Sequence, residues 1–354
     1  MRIGSRVLRK WVVVLLLVSL SLSVGLTTPA RAQAPSLGGL LSLAANTDDS
    51  RKIVWYGSLG ALKNVVGIKL GSIDDLNSMD DRQRRLYLLE TNGQLYFSQY
   101  NGLDNAGDWL QRFGINSFAI DSELTAGTGK QRFGILQGNL DMGMVGNTLM
   151  AQGYQANGSI YTASDAKAAL PAVAVVGNAL IVGQPDTVNA VAQPSQVLGS
   201  DPNYQAISAV LDGGTTPGQL ISAVIFDGSY LNSTILAQQK GAQFNAIRGS
   251  SGIDELPLPS YNLAAVGYRF DGSQHYWVVA LSYGDGGTAQ AASGILAQRL
   301  ARYVSMDSGA PLFAGWSVNP SSQGNVAVVV MNAQADVAWV QSMRNGDLGF
   351  LFAQ

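Results

Sequence analysis

The sequence predicts an α+β fold, with antiparallel or mixed sheets carrying helices on one face. Three observations lead there. Short β-rich runs come in pairs around tight-turn residues. Helical patterns alternate with them. One order of elements, strand–helix–strand–strand–helix, occurs twice.

At the start of the chain, Arg2, Arg6, Arg9 and Lys10 precede an apolar run over residues 11–26. Thr27, Thr28 and Pro29 then break any helix, and Ala30-Arg31-Ala32 offers a small-x-small step. This order reads as a secretory signal over 1–32, cleaved after about Ala32, which places the mature chain in the periplasm or outside the cell. The run is shorter than the ~20 residues that span a bilayer. An uncleaved membrane anchor is the alternative. With Cys 0 in the composition, lipidation on a cysteine is excluded. Residues 33–50 read as a flexible tether, followed by α+β domains at 51–198 and 199–354.

The strand pairs justify the β part. Residues 85–91 and 94–100 flank Asn92-Gly93, and 172–176 and 179–183 flank Gly177-Asn178. Residues 262–270 and 274–283 flank Asp271-Gly272-Ser273. Further apolar, β-branched runs lie at 220–226 and 325–331. Helical spacing is clearest over 288–304, where Ala292, Ile295, Leu296, Leu300 and Tyr303 share a face. Shorter helices are expected at 141–152, 203–211 and 333–343, with Asp141 and Asn332 placed to accept free amides at their starts.

The repeated order runs through strand 131–140, helix 141–152, strands at 159–163 and 173–182, and helix 186–193. It returns as strand 274–283, helix 288–304, strands at 312–318 and 325–331, and helix 333–343. A duplicated unit explains this; a chance match of common elements is the alternative.

Composition limits the function classes. Hydrophobic residues make up 47% and charged residues 13%, while polarity comes largely from uncharged side chains and 41 glycines. Without residues 1–32, which hold five basic residues and no acidic one, 17 basic face 24 acidic residues, a net charge near −7. Nucleic acid and anionic membrane surfaces are therefore not expected partners. No stretch of the mature chain is long and apolar enough to span a membrane. The partners that remain are an envelope component or a small ligand.

Residues Phe133-Gly-Ile-Leu-Gln-Gly138, Leu140-Asp141, Gly153-Tyr154, Ile160-Tyr161 and 174–183 carry a resemblance. Over about 110–195 the chain is similar to a loose set of exported bacterial proteins without known activity. The resemblance implies no activity and no functional residue.

Catalytic patterns fail on their own requirements. His275 would need a nucleophile, and Ser282 lies in a loose elbow (Ala280-Leu-Ser-Tyr-Gly284), but here the histidine precedes the serine. Ser164 and Lys167 fit Ser-x-x-Lys, and Ser260 and Asn262 fit Ser-x-Asn, yet no lysine follows Lys240 to complete that set. Asp307-Ser-Gly309 occurs once, whereas an aspartic dyad needs two carboxylates. One histidine and no cysteine exclude typical zinc and copper sites. Asp74-Asp75, Asp80-Asp81 and Gly284-Asp-Gly-Gly287 lack the spacing of a calcium loop. Gly127-Thr-Gly-Lys130 lacks the first glycine of a phosphate loop. No cofactor, metal site or catalytic residue is expected.

One feature points to binding. Tyr87, Tyr96, Phe97 and Tyr100, with Trp55 and Trp109 nearby, could form an aromatic face that stacks on sugars or clamps a peptide. Cross-strand pairing within a sheet is the competing account. The sequence thus favours an exported binding or structural protein of the cell envelope. A hydrolase using Asp or Glu carboxylates and a membrane-tethered envelope factor are the alternatives.

Overall fold

Val176 and Ala179 face each other across the two-residue turn Gly177-Asn178, and Gln323 and Val326 do so across Gly324-Asn325. Both turn glycines sit at φ +58°, a left-handed conformation that any side chain disfavours. The same dipeptide thus closes two hairpins far apart in the chain.

The computed structural model describes residues 36–84, 87, 106–165, 168–238, 249, 251–305, 308–333 and 347–353. Helices α1 (Leu37–Leu41) and α2 (Asp48–Lys52) lead into β1 (Ile53–Gly57), α3 (Leu59–Val66) and α4 (Ile73–Ser78). Next come α5 (Ala106–Phe113), β2 (Ile120–Ala126), β3 (Phe133–Gly138), α6 (Met142–Ala151), β4 (Gln155–Asn157) and β5 (Ile160–Thr162). The hairpin β6 (Ala172–Val176) and β7 (Ala179–Gly183) and helix α7 (Pro185–Ala192) follow. The rest comprises α8 (Pro202–Asp212), β8 (Gln219–Asp227), α9 (Gly228–Gln238), β9 (Leu263–Phe270) and β10 (His275–Ser282). It ends with α10 (Gly286–Arg302), β11 (Ser317–Gln323) and β12 (Val326–Ala333).

The described strands form one sheet in the order β11-β12-β10-β9-β8-β1-β2-β3-β7-β6-β5-β4, with antiparallel neighbours throughout. Outward from the central β1–β8 pair, both sides follow one scheme. β1, β2, β3, β7 and β6 on one side match β8, β9, β10, β12 and β11 on the other. Helices α3 and α9 follow the two central strands, and α6 and α10 follow β3 and β10. Among the described strands, β4 and β5 have no counterpart in this scheme.

The α+β class expected from sequence is the class found. Helices cover both faces of the sheet, however, not the single face expected. Leu62 of α3, Leu231 of α9 and Leu296 of α10 pack on Val224, Val266 and Val279. On the other face one cluster takes in Ile207 of α8 with Ala223, Ile225 and Val278, Leu40 of α1 beside β2, and Val188 of α7 beside β6 and β7. A third cluster joins Phe113 of α5 and Val145 of α6 to Leu136, Leu180 and Val182. The reason lies in the strands. Residues 277–281 and 326–331 are apolar at every position, and such strands need cover on both sides.

Two boundaries also differ from expectation. Residues 33–50 were expected to be a tether, yet Leu37, Leu40 and Leu41 are fully buried. Their i, i+3, i+4 spacing lays one face of α1 on the core, each leucine contributing roughly 2 kcal/mol. Instead of two domains meeting at 198/199, residues Ala34–Gln354 form one unit, because β1 and β8 pair across that point. At the element level, α6, α7, α8 and α10 lie where helices were expected. Strand β11 lies about five residues later than the expected 312–318, its register set by the Gly324-Asn325 turn. Asn332 belongs to β12. The helix expected over 333–343 lies, beyond Ala333, outside the described residues, as does the signal over 1–32. No helix of the described residues is long and apolar enough to cross a membrane.

Candidate functional site

β1 begins at Ile53 opposite Phe226, so the start of β1 and the end of β8 lie side by side where the two halves meet. α2 enters β1 there, and α9 leaves β8. Between them lies a cleft of about 370 Å³ lined by Asp48, Arg51, Lys52, Asp227, Ser229, Tyr230 and Ser233. Asp48, Arg51 and Lys52 stand at i, i+3 and i+4, so one face of α2 forms one wall. The first turns of α9 form the other.

Local chemistry holds both walls in place. Thr47 and Ser50 form a reciprocal capping box that starts α2. Asp227 caps α9 by accepting the Tyr230 amide at 3.0 Å. The Tyr204 hydroxyl donates to the Arg51 carbonyl at 3.0 Å, tying α2 to α8.

The charges in the cleft are largely matched from behind. Arg51 Nη2 lies 3.0 Å from Asp201 Oδ2, and its Nη1 donates to Asn46 Oδ1 at 3.4 Å. Lys52 Nζ lies 2.6 Å from Asp49, and this hydrogen bond holds the ammonium above its ordinary pKa. Asp201 and Asp49 stand outside the cleft lining. The cleft therefore offers hydroxyls, two carboxylates and two paired cations around one phenol ring. Such a site can hydrogen-bond a polar ligand from several sides.

Neither a protein-family model nor a curated protein sequence matches the chain. Three crystal forms of TP0453 are similar to it in structure at 10% sequence identity. The likeness covers 88% of this chain and 98–100% of that one, at TM-scores of 0.33, 0.34 and 0.36. At such scores it carries no argument about this protein.

The aromatic residues singled out in the sequence do not line this cleft. Tyr87 is helical and 1% exposed, within the core under α3 and α9. It offers no stacking face, because its position follows a helix and not the expected strand. Tyr96, Phe97 and Tyr100 lie outside the described residues. Trp109 is buried against Phe113 with ring centroids 5.6 Å apart, and Trp55 is half-buried on the core.

The rejected motifs have structural roles. His275 Nδ1 meets the Tyr268 hydroxyl at 2.5 Å, and its ring stacks on Phe270 at 4.7 Å. The Ser282 hydroxyl accepts the Leu263 amide at 3.0 Å inside the core. Asp285 caps α10, and Asp75 accepts the Gly71 amide at 2.8 Å. Ser164 and Asp165 edge a smaller cleft of about 190 Å³ that also includes Arg112 and Tyr154.

Sequence reasoning missed the buried ionisable groups, which hold backbone in place. Arg299, 0% exposed, donates to the carbonyls of Ile253, Leu256, Phe350 and Phe352. Arg269 donates to the carbonyls of Leu211, Pro217 and Gly218. Asp212 accepts the Leu37 and Gly38 amides, which lower its pKa against a larger upward push from burial. Lys63 donates to the Phe118 carbonyl at 2.6 Å, and burial lowers its pKa. A polar residue inside an apolar helical pattern, as Arg299 is in α10, was the one available signal. Among the described residues, no group of three His, Cys, Asp or Glu could hold a metal ion.

Proposed function

We propose that the protein is an exported binding protein of the cell envelope that holds a small polar ligand between α2 and α9. One observation carries this reading: the polar cleft opens at the junction of the two matching halves, the kind of place where ligand sites concentrate. The backbone engagement of Arg269, Arg299, Asp212 and Lys63 elsewhere in the fold supports it, since those charges are already committed. Export rests on the basic, apolar and small-residue order of residues 1–32. The matching strand order and paired Gly-Asn turns support duplication of an ancestral half.

Hydrogen exchange on residues 34–354 tests the binding reading, with pooled sugars, cell-wall fragments, peptides and divalent ions. Protection is expected over 48–52 and 227–233. Protection confined to other segments, or none in any pool, sinks it. N-terminal sequencing of the cell-derived protein tests export. A start near Gln33 agrees with cleavage, and an intact Met1 favours the membrane-tethered alternative.

A further inference from the structure

We infer that the cleft between α2 and α9 takes a neutral, polyhydroxylated ligand, a mono- or disaccharide; this rests on the binding reading above. Its lining contains no aliphatic residue, and the apolar surface it offers comes from the Tyr230 ring and the stems of the charged side chains, each next to a polar group. An anion would meet Asp48 and Asp227, and the cations it needs already bind Asp201 and Asp49 at 3.0 and 2.6 Å. A cation would meet Arg51 and Lys52. Both signs of net charge are therefore opposed, and long-range attraction selects neither.

A sugar meets no such opposition. Each hydroxyl both donates and accepts. Asp48 and the second oxygen of Asp227 can accept from it, while Arg51 and Lys52 retain N–H groups that can donate. Charged partners make such hydrogen bonds stronger than neutral ones. Ser229 and Tyr230 add hydroxyls for which no protein hydrogen bond is formed within the described residues. The half-buried Tyr230 ring supplies an apolar surface for the C–H face of a pyranose. The volume of about 370 Å³ falls at the small end of ligand sites, which suits one or two rings.

Calorimetry and thermal shift on residues 34–354 test this with glucose, N-acetylglucosamine, maltose and chitobiose as saccharides. Glutamine, arginine and phosphate serve as zwitterionic, cationic and anionic probes. At least one saccharide is expected to bind with an affinity that changes less than about twofold between 0.02 and 0.5 M NaCl. Tyr230→Ala should weaken it about tenfold or more, as loss of an aromatic anchor does. Asp48→Ala, at an exposed position, should also weaken it while leaving the unliganded melting temperature unchanged, which separates lost binding from lost folding. Binding of glutamine, arginine or phosphate alone, weakened by Asp48→Ala, overturns the saccharide class and leaves the cleft as the site. No binding by any probe, or saccharide binding indifferent to both substitutions, overturns both.

Discussion

Asp141 and Asp285 hold matching positions in the two halves: each caps the helix that follows the third strand outward from the centre. Asp141 accepts the Met144 amide at 2.9 Å, and Asp285 accepts the Thr288 amide at 2.8 Å. Both carboxylates satisfy amides that the first turn leaves without partners.

Asp141→Ala is expected to cost roughly 1 kcal/mol, read as a lower denaturant midpoint. Asp285→Ala should shift the midpoint in the same direction. The Thr288 amide and hydroxyl hold the Asp285 carboxyl below its ordinary value of 3.8. A depressed carboxyl stabilises the fold above its unfolded pKa, and this contribution is lost as pH falls through the lower folded value. The stability difference between wild type and Asp285→Ala should therefore be present at pH 6 and fade below about pH 3.8. A difference that grows on acidification would contradict the cap.

Arg299 clamps the C-terminal segment, with Phe350 and Phe352 carbonyls among its acceptors. Arg299→Met leaves those acceptors buried without donors and should cost about 2 kcal/mol or more. Lysine, a point donor on a flexible stem, should not restore it. Hydrogen exchange should rise first over residues 347–353; uniform loss of protection would mean that the clamp is global.

β11 is the edge strand at one end of the sheet, and Pro320 sits exposed in its middle, opposite Val329. Proline lacks an amide proton and blocks strand addition. Pro320→Thr should keep the fold and increase self-association, measured by light scattering against concentration. An unchanged molar mass at millimolar protein would show that another feature guards this edge.

Tyr87 belongs to the core, so Tyr87→Ala should cost about 3–5 kcal/mol, as aromatic truncation does. Ligand affinity measured well below the lowered melting temperature should not change. Weakened binding with stability intact would return Tyr87 to a binding face.

Much of the local structure was legible in the sequence. Gly177-Asn178 marked a hairpin, Asp141 marked a helix start, and the spacing from Ala292 to Leu300 marked α10. Each signal depends on residues within a few positions of one another. The candidate site was not legible. Asp48 and Arg51 lie far in the chain from Asp227 and Tyr230 and share no motif with them, because the two walls are brought together by strand pairing. Tyr87 misled because the Asn92-Gly93 turn signal placed it in a strand, whereas it is helical and buried among residues distant in the chain.

The sequence by itself therefore determined the α+β class, the turns and the caps, since backbone propensity and nearby hydrogen bonds decide them. Only the tertiary structure decided that helices cover both faces, that residues 37–41 join the core, and that one sheet crosses the expected domain boundary. Those outcomes depend on the β1–β8 pairing of Trp55 with Val224 and its neighbours. Such a contact is selected by the free energy of burying two half-sheets together, which no window of adjacent residues contains.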